Sequence, residues 1–300
     1  MHGFLALDKP EGVSSHDLVQ KVRRACGTRR VGHAGTLDPL ATGVLLVGVD
    51  HATRLIEYLT AQCKSYRATM RLGVITDSQD ITGVILESRD VPPIDLVQLK
   101  SVCAEFEGQI EQIPPMFSAL KKDGVPLYRL ARNGQEVERQ KRQIDIYKIA
   151  IVAYEGDEVV LDVECSKGTY IRTLCHDIGL RLECGACMTQ LRRTGSGNFT
   201  SADLTTVDEL KLGDFRVIPP LEGLAHLPQV QLSTEGRERL RNGIPPTMDH
   251  TSFMDEASQA AELVLLCDAG KLVAVASPDF THEQEHRGDF KLHKVFPDGI

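Results

Sequence analysis

Gly32-His33-Ala34-Gly35-Thr36-Leu37-Asp38-Pro39-Leu40-Ala41-Thr42-Gly43 runs directly into Val44-Leu45-Leu46-Val47-Gly48-Val49. The second half of this stretch is a short apolar run bounded by glycines, which reads as a buried strand. The first half is broken by Gly32, Gly35, Pro39 and Gly43, and so predicts a loop held on the end of that strand. Loops carried by rigid strands are where catalytic groups concentrate. This one presents a histidine, a carboxylate and the flanking pair Arg29 and Arg30. Taken alone, the run fits an aspartate capping a turn before Pro39 equally well.

Upstream, Gly3 to Asp8 alternates weakly and meets Lys9-Pro10-Glu11-Gly12, a strand entering a turn. Ser14 or Ser15 then caps a helix carrying Leu18, Val19 and Val22. Downstream, Ala52 to Leu59 reads as a short helix. Ser65 to Leu72 reads as a strand with Tyr66, Ala68, Met70 and Leu72 on one face. Leu96 to Phe106 has amphipathic helical spacing, Ile144–Ile151 and Val159–Glu164 form a β pair, and Tyr170 to Leu182 is a helix pattern. Strands and helices mix without a regular βαβ repeat, so the fold class is α+β. Val217-Ile218-Pro219-Pro220 and Leu227-Pro228 punctuate the chain and divide it into residues 1–225 and 226–300. The second part is a small β-rich unit with a hairpin around Ala269-Gly270 and a further strand at Lys291 to Phe296.

The chain has 300 residues, 42% hydrophobic and 25% charged, the balance of an ordinary globular protein with a substantial core. No stretch approaches the roughly eighteen uncharged apolar residues of a membrane span. The N-terminus lacks the basic start and apolar region of a signal peptide, which predicts a cytoplasmic protein. The eight cysteines are scattered and read as reduced thiols. Cys184-Gly185-Ala186-Cys187, near Cys175 and His176, is a lone C-x-x-C in an apolar setting and reads as core packing, so no metal site is expected. The absence of a G-x-G-x-x-G run or a P-loop predicts no nucleotide cofactor.

The net charge of -8 weighs against a nucleic-acid partner until its distribution is read. Before Ala34, Lys9, Lys21, Arg23, Arg24, Arg29 and Arg30 face only three acids. From Ala119 to Gln143 seven lysines and arginines again face three acids, whereas the balance reverses beyond Asp249. The front of the chain is thus locally basic and the tail acidic.

The run around Asp38 resembles the catalytic loop of the TruB-type pseudouridine synthases, which act on the T-loop uridine at position 55 of tRNA. Three further segments resemble that family's motifs in the same order. They are Leu7-Asp8-Lys9-Pro10-Glu11-Gly12-Val13-Ser14-Ser15, Lys64-Ser65-Tyr66-Arg67-Ala68 through Thr76-Asp77, and Cys165-Ser166-Lys167-Gly168-Thr169-Tyr170-Ile171-Arg172, followed by Leu191-Arg192-Arg193-Thr194. The similarity runs from about Gly3 to Leu210.

The resemblance implies a mixed, mostly antiparallel sheet flanked by helices, with residues 1–225 as the catalytic domain. It makes Asp38 the nucleophile, attacking either C1′ or base C6. Arg172 becomes its partner, expected to hold the carboxylate bidentately and keep its pKa low. Tyr66 becomes the residue that stacks on uracil and offers a base for the lost proton. His33 would fill the stack vacated by the flipped uridine. Lys9 and Lys64 would meet phosphates or wall the site, Leu191 would pack under the uracil, and Tyr170 would also contact substrate. The basic segment at about 114–143 matches an insertion that closes over the T-arm, and the tail resembles a PUA-type RNA-binding domain. The partner implied is tRNA, with no membrane, no protein partner and no cofactor, and the chain acting as a monomer. A synthase for another RNA and a tRNA-folding chaperone are the alternatives. An acid-nucleophile hydrolase would need a second carboxylate, for which Asp77 and Asp80 are nearest in sequence to Tyr66.

Overall fold

The computed structural model describes residues 1–252, 259–279 and 288–300. The chain opens with strand β1 (Gly3–Lys9), helix α1 (Ser15–Ala25), β2 (Val31–His33) and β3 (Thr42–Val49). Ser14 is the cap of α1, closing a capping box with Asp17. Ser15 instead turns inward, its hydroxyl donating to the Leu37 carbonyl and accepting from the Leu37 N–H. The helix is thereby tied to the loop that carries Asp38.

A turn of 3-10 helix and α2 (Ile56–Thr60) lead into β4 (Lys64–Leu72), then the small hairpin β5 (Val74–Thr76) and β6 (Ile85–Ser88). Next come α3 (Leu96–Ala104) and β7 (Gly108–Gln112). The basic segment holds a two-residue hairpin, β8 (Lys121–Lys122) with β9 (Val125–Pro126), and α4 (Leu127–Arg132). The long pair β10 (Arg142–Glu155) and β11 (Glu158–Cys165) is followed by α5 (Ile171–Arg181), β12 (Ala186–Ser196) and β13 (Phe199–Thr200). Short α6 (Val207–Leu212) and α7 (Pro220–Gly223) precede the tail of β14 (Gln229–Gln231), α8 (Thr234–Arg241), β15 (Val264–Asp268), β16 (Lys271–Pro278) and β17 (Phe290–Val295).

The main sheet runs β1-β3-β12-β4-β11-β10-β7, with β2 on β3 and β13 on β12. Every pairing is antiparallel except the short contact of β12 with β3 at Arg192 and Arg193 against Thr42 and Gly43. That parallel contact lands where the Asp38 loop ends. Gly43 has φ +94°, and a Cβ there would collide with the Arg193 carbonyl, so only glycine lets the two backbones meet. The mixed, mostly antiparallel sheet flanked by helices is the α+β architecture that the sequence implies.

Two layers of apolar packing hold this sheet. On one face Leu5, Leu7, Val47, Ala68 and Met70 pack with α1, α3 and α5. On the other face of β1 and β3, Phe4, Ala6, Val44 and Leu46 pack with Leu59 and with Leu265, Cys267, Leu272, Val275 and Phe296 of the tail. The tail has its own sheet, β14-β15-β16-β17, and α8 contributes Leu240 to a cluster with Val230 and Phe290. One side of that sheet nonetheless completes the core behind β1 and β3. Asp255, Glu256, Glu283 and Glu285, part of the tail's acidic balance, lie outside the described residues.

No helix among the described residues is long and apolar enough to cross a membrane. All eight cysteines are free, and Cys175, Cys184 and Cys187 are buried in the core. No group of three or more metal-ligating side chains converges among the described residues.

Candidate active site

Asp38 sits in a loop held from below by Lys9. That lysine is fully buried, and its Nζ donates to the carbonyls of Ala41 (2.5 Å), Pro10 (2.9 Å) and Pro39 (3.1 Å). Three carbonyls of a loop rich in breaks are satisfied by one ammonium. Burial pushes the amine down to about 8, against the pull of Asp38 and Glu11. Lys9 is therefore a fastener for the Asp38 loop and has no donor turned outward for a phosphate. Lys64, also buried and pushed down to about 8 by burial, donates to the Leu59 and Gln62 carbonyls and walls the cavity.

The cavity above this loop has a volume of about 440 Å³. Asp38, Lys64, Tyr66, Tyr170, Arg172, Leu191 and Arg193 all line it. Residues far apart in sequence meet because β4 and β12 are neighbours, with Leu191 opposite Ala68 and Arg193 opposite Tyr66. Side chains two apart on a strand share a face, so Leu191 and Arg193 both point at the cavity. Arg192, between them, points the other way and pairs with Asp8 at 3.0 Å. His33 and Lys9 do not line the cavity. His33 stands on β2 just before the loop, its pKa lowered chiefly by burial and then by Arg193, so its imidazole is neutral at pH 7.

Arg172, in the first turn of α5, is 4% exposed. Its Nη2 lies 2.9 Å from Asp38 Oδ2 and donates to the Phe117 carbonyl at 2.7 Å, while Nη1 reaches Asp80 Oδ2 at 3.4 Å. The expected bidentate grip on Asp38 is thus corrected. The guanidinium divides its donors among two carboxylates and a backbone carbonyl, because Asp80 and the basic segment crowd it from the sides. Asp80 is itself buried and accepts from the hydroxyls of Ser78 (2.8 Å) and Thr82 (2.5 Å). The backbone bonds of Gln79 and Ile81 with Met188 of β12 fix its position. Asp77, by contrast, caps a turn through the Val84 N–H.

The Asp38 pKa also departs from expectation. It is raised above the ordinary 3.8, foremost by burial, with Asp80 adding to the rise and Arg172 and Lys9 opposing it. About a third of the side chain still meets solvent through the cavity, which keeps an ionised form accessible. Tyr66 is buried and its phenol pKa is raised, again mainly by burial; the charge of Arg193, opposite it on β12, pulls the other way. Arg193 is 1% exposed and donates to the carbonyls of Val44 (2.6 Å) and Gly35 (3.3 Å), tying the Asp38 loop to β12.

Arg193 lies in the Leu191-Arg192-Arg193-Thr194 run with no role of its own expected, Asp80 enters the sequence reading only as the second carboxylate of a hydrolase, and Gln112, whose amide pairs with the Tyr170 backbone, belongs to no motif. For Arg193 a signal exists: the i, i+2 spacing from Leu191 puts both on one strand face. Asp80 and Gln112 reach the site through turns and edges that carry no periodicity.

A family model for the N-terminal domain of TruB family pseudouridylate synthases matches residues 23–171, and one for the tRNA pseudouridylate synthase B C-terminal domain matches residues 172–215. The chain is 45% identical to tRNA pseudouridine synthase B of Syntrophotalea carbinolica, covering 100% of this chain and 99% of that one. To the protein of the same name from Geotalea uraniireducens it is 43% identical, covering 99% and 98%. Among solved structures, a chain of a Cbf5-Nop10-Gar1 complex superposes with a TM-score of 0.74 at 28% identity, covering 98% of this chain and 84% of that one. The sheet, the cleft and these likenesses define an enzyme that makes pseudouridine in RNA. Within that class the chain belongs to the TruB family of pseudouridylate synthases.

Proposed function

We propose that the chain converts the T-loop uridine at position 55 of tRNA to pseudouridine, with Asp38 as the nucleophile. The observation that carries this reading is the Asp38–Arg172 ion pair on the wall of a cavity that also holds Tyr66 and Leu191. A uridine cannot reach a carboxylate at that depth while stacked in the T-loop, so it must be flipped out, at a cost of about a few kcal/mol. His33, neutral and just outside the cavity, is suited to take its place in the stack. Tyr66 and Leu191 sandwich the uracil, and the ionised Asp38 attacks at C1′ or C6.

The N1–C1′ bond breaks, the uracil turns, C5 bonds to C1′, and the bond from Asp38 to C1′ or C6 breaks, restoring the carboxylate. The proton displaced from C5 is taken at the Tyr66 oxygen as the phenol's own proton passes on, and N1 gains a proton, so the buried tyrosine ends neutral as it began. The isomerisation is redox-neutral and calls for no cofactor. Its names in related proteins, tRNA pseudouridine synthase B, support tRNA as the substrate.

The basic segment at about 114–143 grips the T-arm phosphates. The tail from about residue 226 is a PUA-like unit attached to the catalytic domain, and the enzyme works as a monomer in the cytoplasm. Carbodiimide mapping by primer extension on an unmodified tRNA transcript tests the reading. A new stop at the T-loop uridine is expected, while a stop elsewhere, or only in another RNA, reassigns the substrate.

A further inference from the structure

Gln112 ends β7 and is 2% exposed. Its side-chain amide meets the backbone of one residue twice. Nε2 donates to the Tyr170 carbonyl at 3.0 Å, and Oε1 accepts from the Tyr170 N–H at 2.8 Å. Tyr170 is the N-cap of α5, makes no side-chain cap bond itself, and stands two residues before Arg172. The glutamine acts there as a neighbouring strand would, pairing with the N–H of the residue that launches the helix and sharing its carbonyl with the Leu174 N–H.

Gln112 is also the root of the basic segment, since Ile113-Pro114-Pro115 follows it directly. One more contact from that root reaches the same turn of α5. The Phe117 carbonyl accepts from Arg172 Nη2 at 2.7 Å, and Ser118 lines the cavity beside Tyr170. The nitrogen that holds Asp38 is therefore also held by the segment proposed to close on RNA. Its position is set by the first turn of α5 and by the segment's root together.

We propose that Gln112 is a positioning residue for the Asp38–Arg172 pair: its clamp on Tyr170 joins the root of the basic segment to the start of α5 and aims the guanidinium at the nucleophile. This inference rests on Asp38 being that nucleophile. Without the clamp, the part-buried Tyr170 N–H loses its partner, its carbonyl keeps only the Leu174 N–H, and the turn relaxes. Arg172 then drifts from Asp38, and the carboxylate loses part of the cation that offsets its burial.

The test compares wild type, Gln112→Ala and Gln112→Glu in single-turnover pseudouridine formation across the acid limb of the pH profile. Filter binding of tRNA and thermal melting are measured in parallel. Displacing a catalytic group by about an ångström costs on the order of 10²-fold, and Gln112→Ala is expected to lose about that much rate. Its tRNA affinity is expected to stay unchanged while its acid limb moves to higher pH. Gln112→Glu keeps the acceptor for the Tyr170 N–H and loses the donor, so its rate is expected to fall between the two. A wild-type rate and limb in Gln112→Ala overturn the proposal. So does a loss confined to melting temperature or to affinity with the limb unmoved. If Gln112→Ala does not fold, the same two outcomes are read from Gln112→Glu. Asp38→Asn in the same assay separates the premises: activity there removes the nucleophile, whereas an inactive Asp38→Asn beside normal Gln112 variants overturns the positioning role alone.

Discussion

As the proposed nucleophile, Asp38 works under opposed demands: it must be ionised to attack, yet burial in the site raises its pKa above 3.8. Catalysis needs the deprotonated form, so the rate is expected to fall as pH drops through a value above the ordinary carboxylate one. Arg172→Met removes the main group opposing that rise. Its acid limb is expected to move up by about 1–3 pH units, read in single-turnover rates; an unmoved limb would mean that Arg172 does not set the charge on Asp38. At this scale much was legible in the sequence. Asp38, Tyr66, Arg172, Leu191, Tyr170 and Lys64 do share one cavity. Lys9, expected to meet phosphates or wall the site, instead fastens the loop, because nothing in Lys9-Pro10 distinguishes an ammonium turned inward to three carbonyls from one turned outward.

The elements that position the site differ in how openly their sequences show it. β3 and β4 read directly, since one is a continuous apolar run and the other alternates. β12, the central strand that brings Leu191 and Arg193 over β4, does not read as a strand. It carries two arginines in the middle of the sheet, and irregularities between Met188 and Gln190 and between Arg193 and Gly195 interrupt its alternation. α5 read well, and it bears a cost of its own in Asp177. This part-exposed carboxylate is pushed up to about 6 by burial. An ionised Asp177 therefore costs folding stability above pH 6. The cost fades as pH falls toward 3.8, because the folded chain takes up the proton first. Asp177→Asn is expected to stabilise the protein by about 1–2 kcal/mol above pH 6, allowing for solvent around the carboxylate. Urea melts should show that gain shrinking as pH nears the ordinary carboxylate value; a constant difference would locate the effect elsewhere.

For the molecule as a whole, a net charge of -8 coexists with an RNA substrate because the positive charge is local. Lys121 and Lys122 are both exposed on the β8–β9 hairpin. Replacing both with Gln is expected to flatten the dependence of log affinity on log salt by about 1–2, without changing the rate at saturating tRNA. An unchanged slope would take the hairpin out of the RNA interface. The core shared by the tail with β1 and β3 is not legible in the sequence, since Leu265, Leu272 and Phe296 look like any hairpin's apolar side until Phe4 and Leu46 are seen beneath them.

The central claim is that one carboxylate, Asp38, forms the bond to the flipped uridine. It is tested most directly by comparing wild type with Asp38→Asn on an unmodified tRNA transcript, mapping pseudouridine by carbodiimide and primer extension and measuring tRNA affinity for both. The amide keeps the shape and loses the nucleophilic charge. The expected result is product at the T-loop uridine with wild type, none with Asp38→Asn, and similar affinity for both. Full activity in Asp38→Asn would contradict the account.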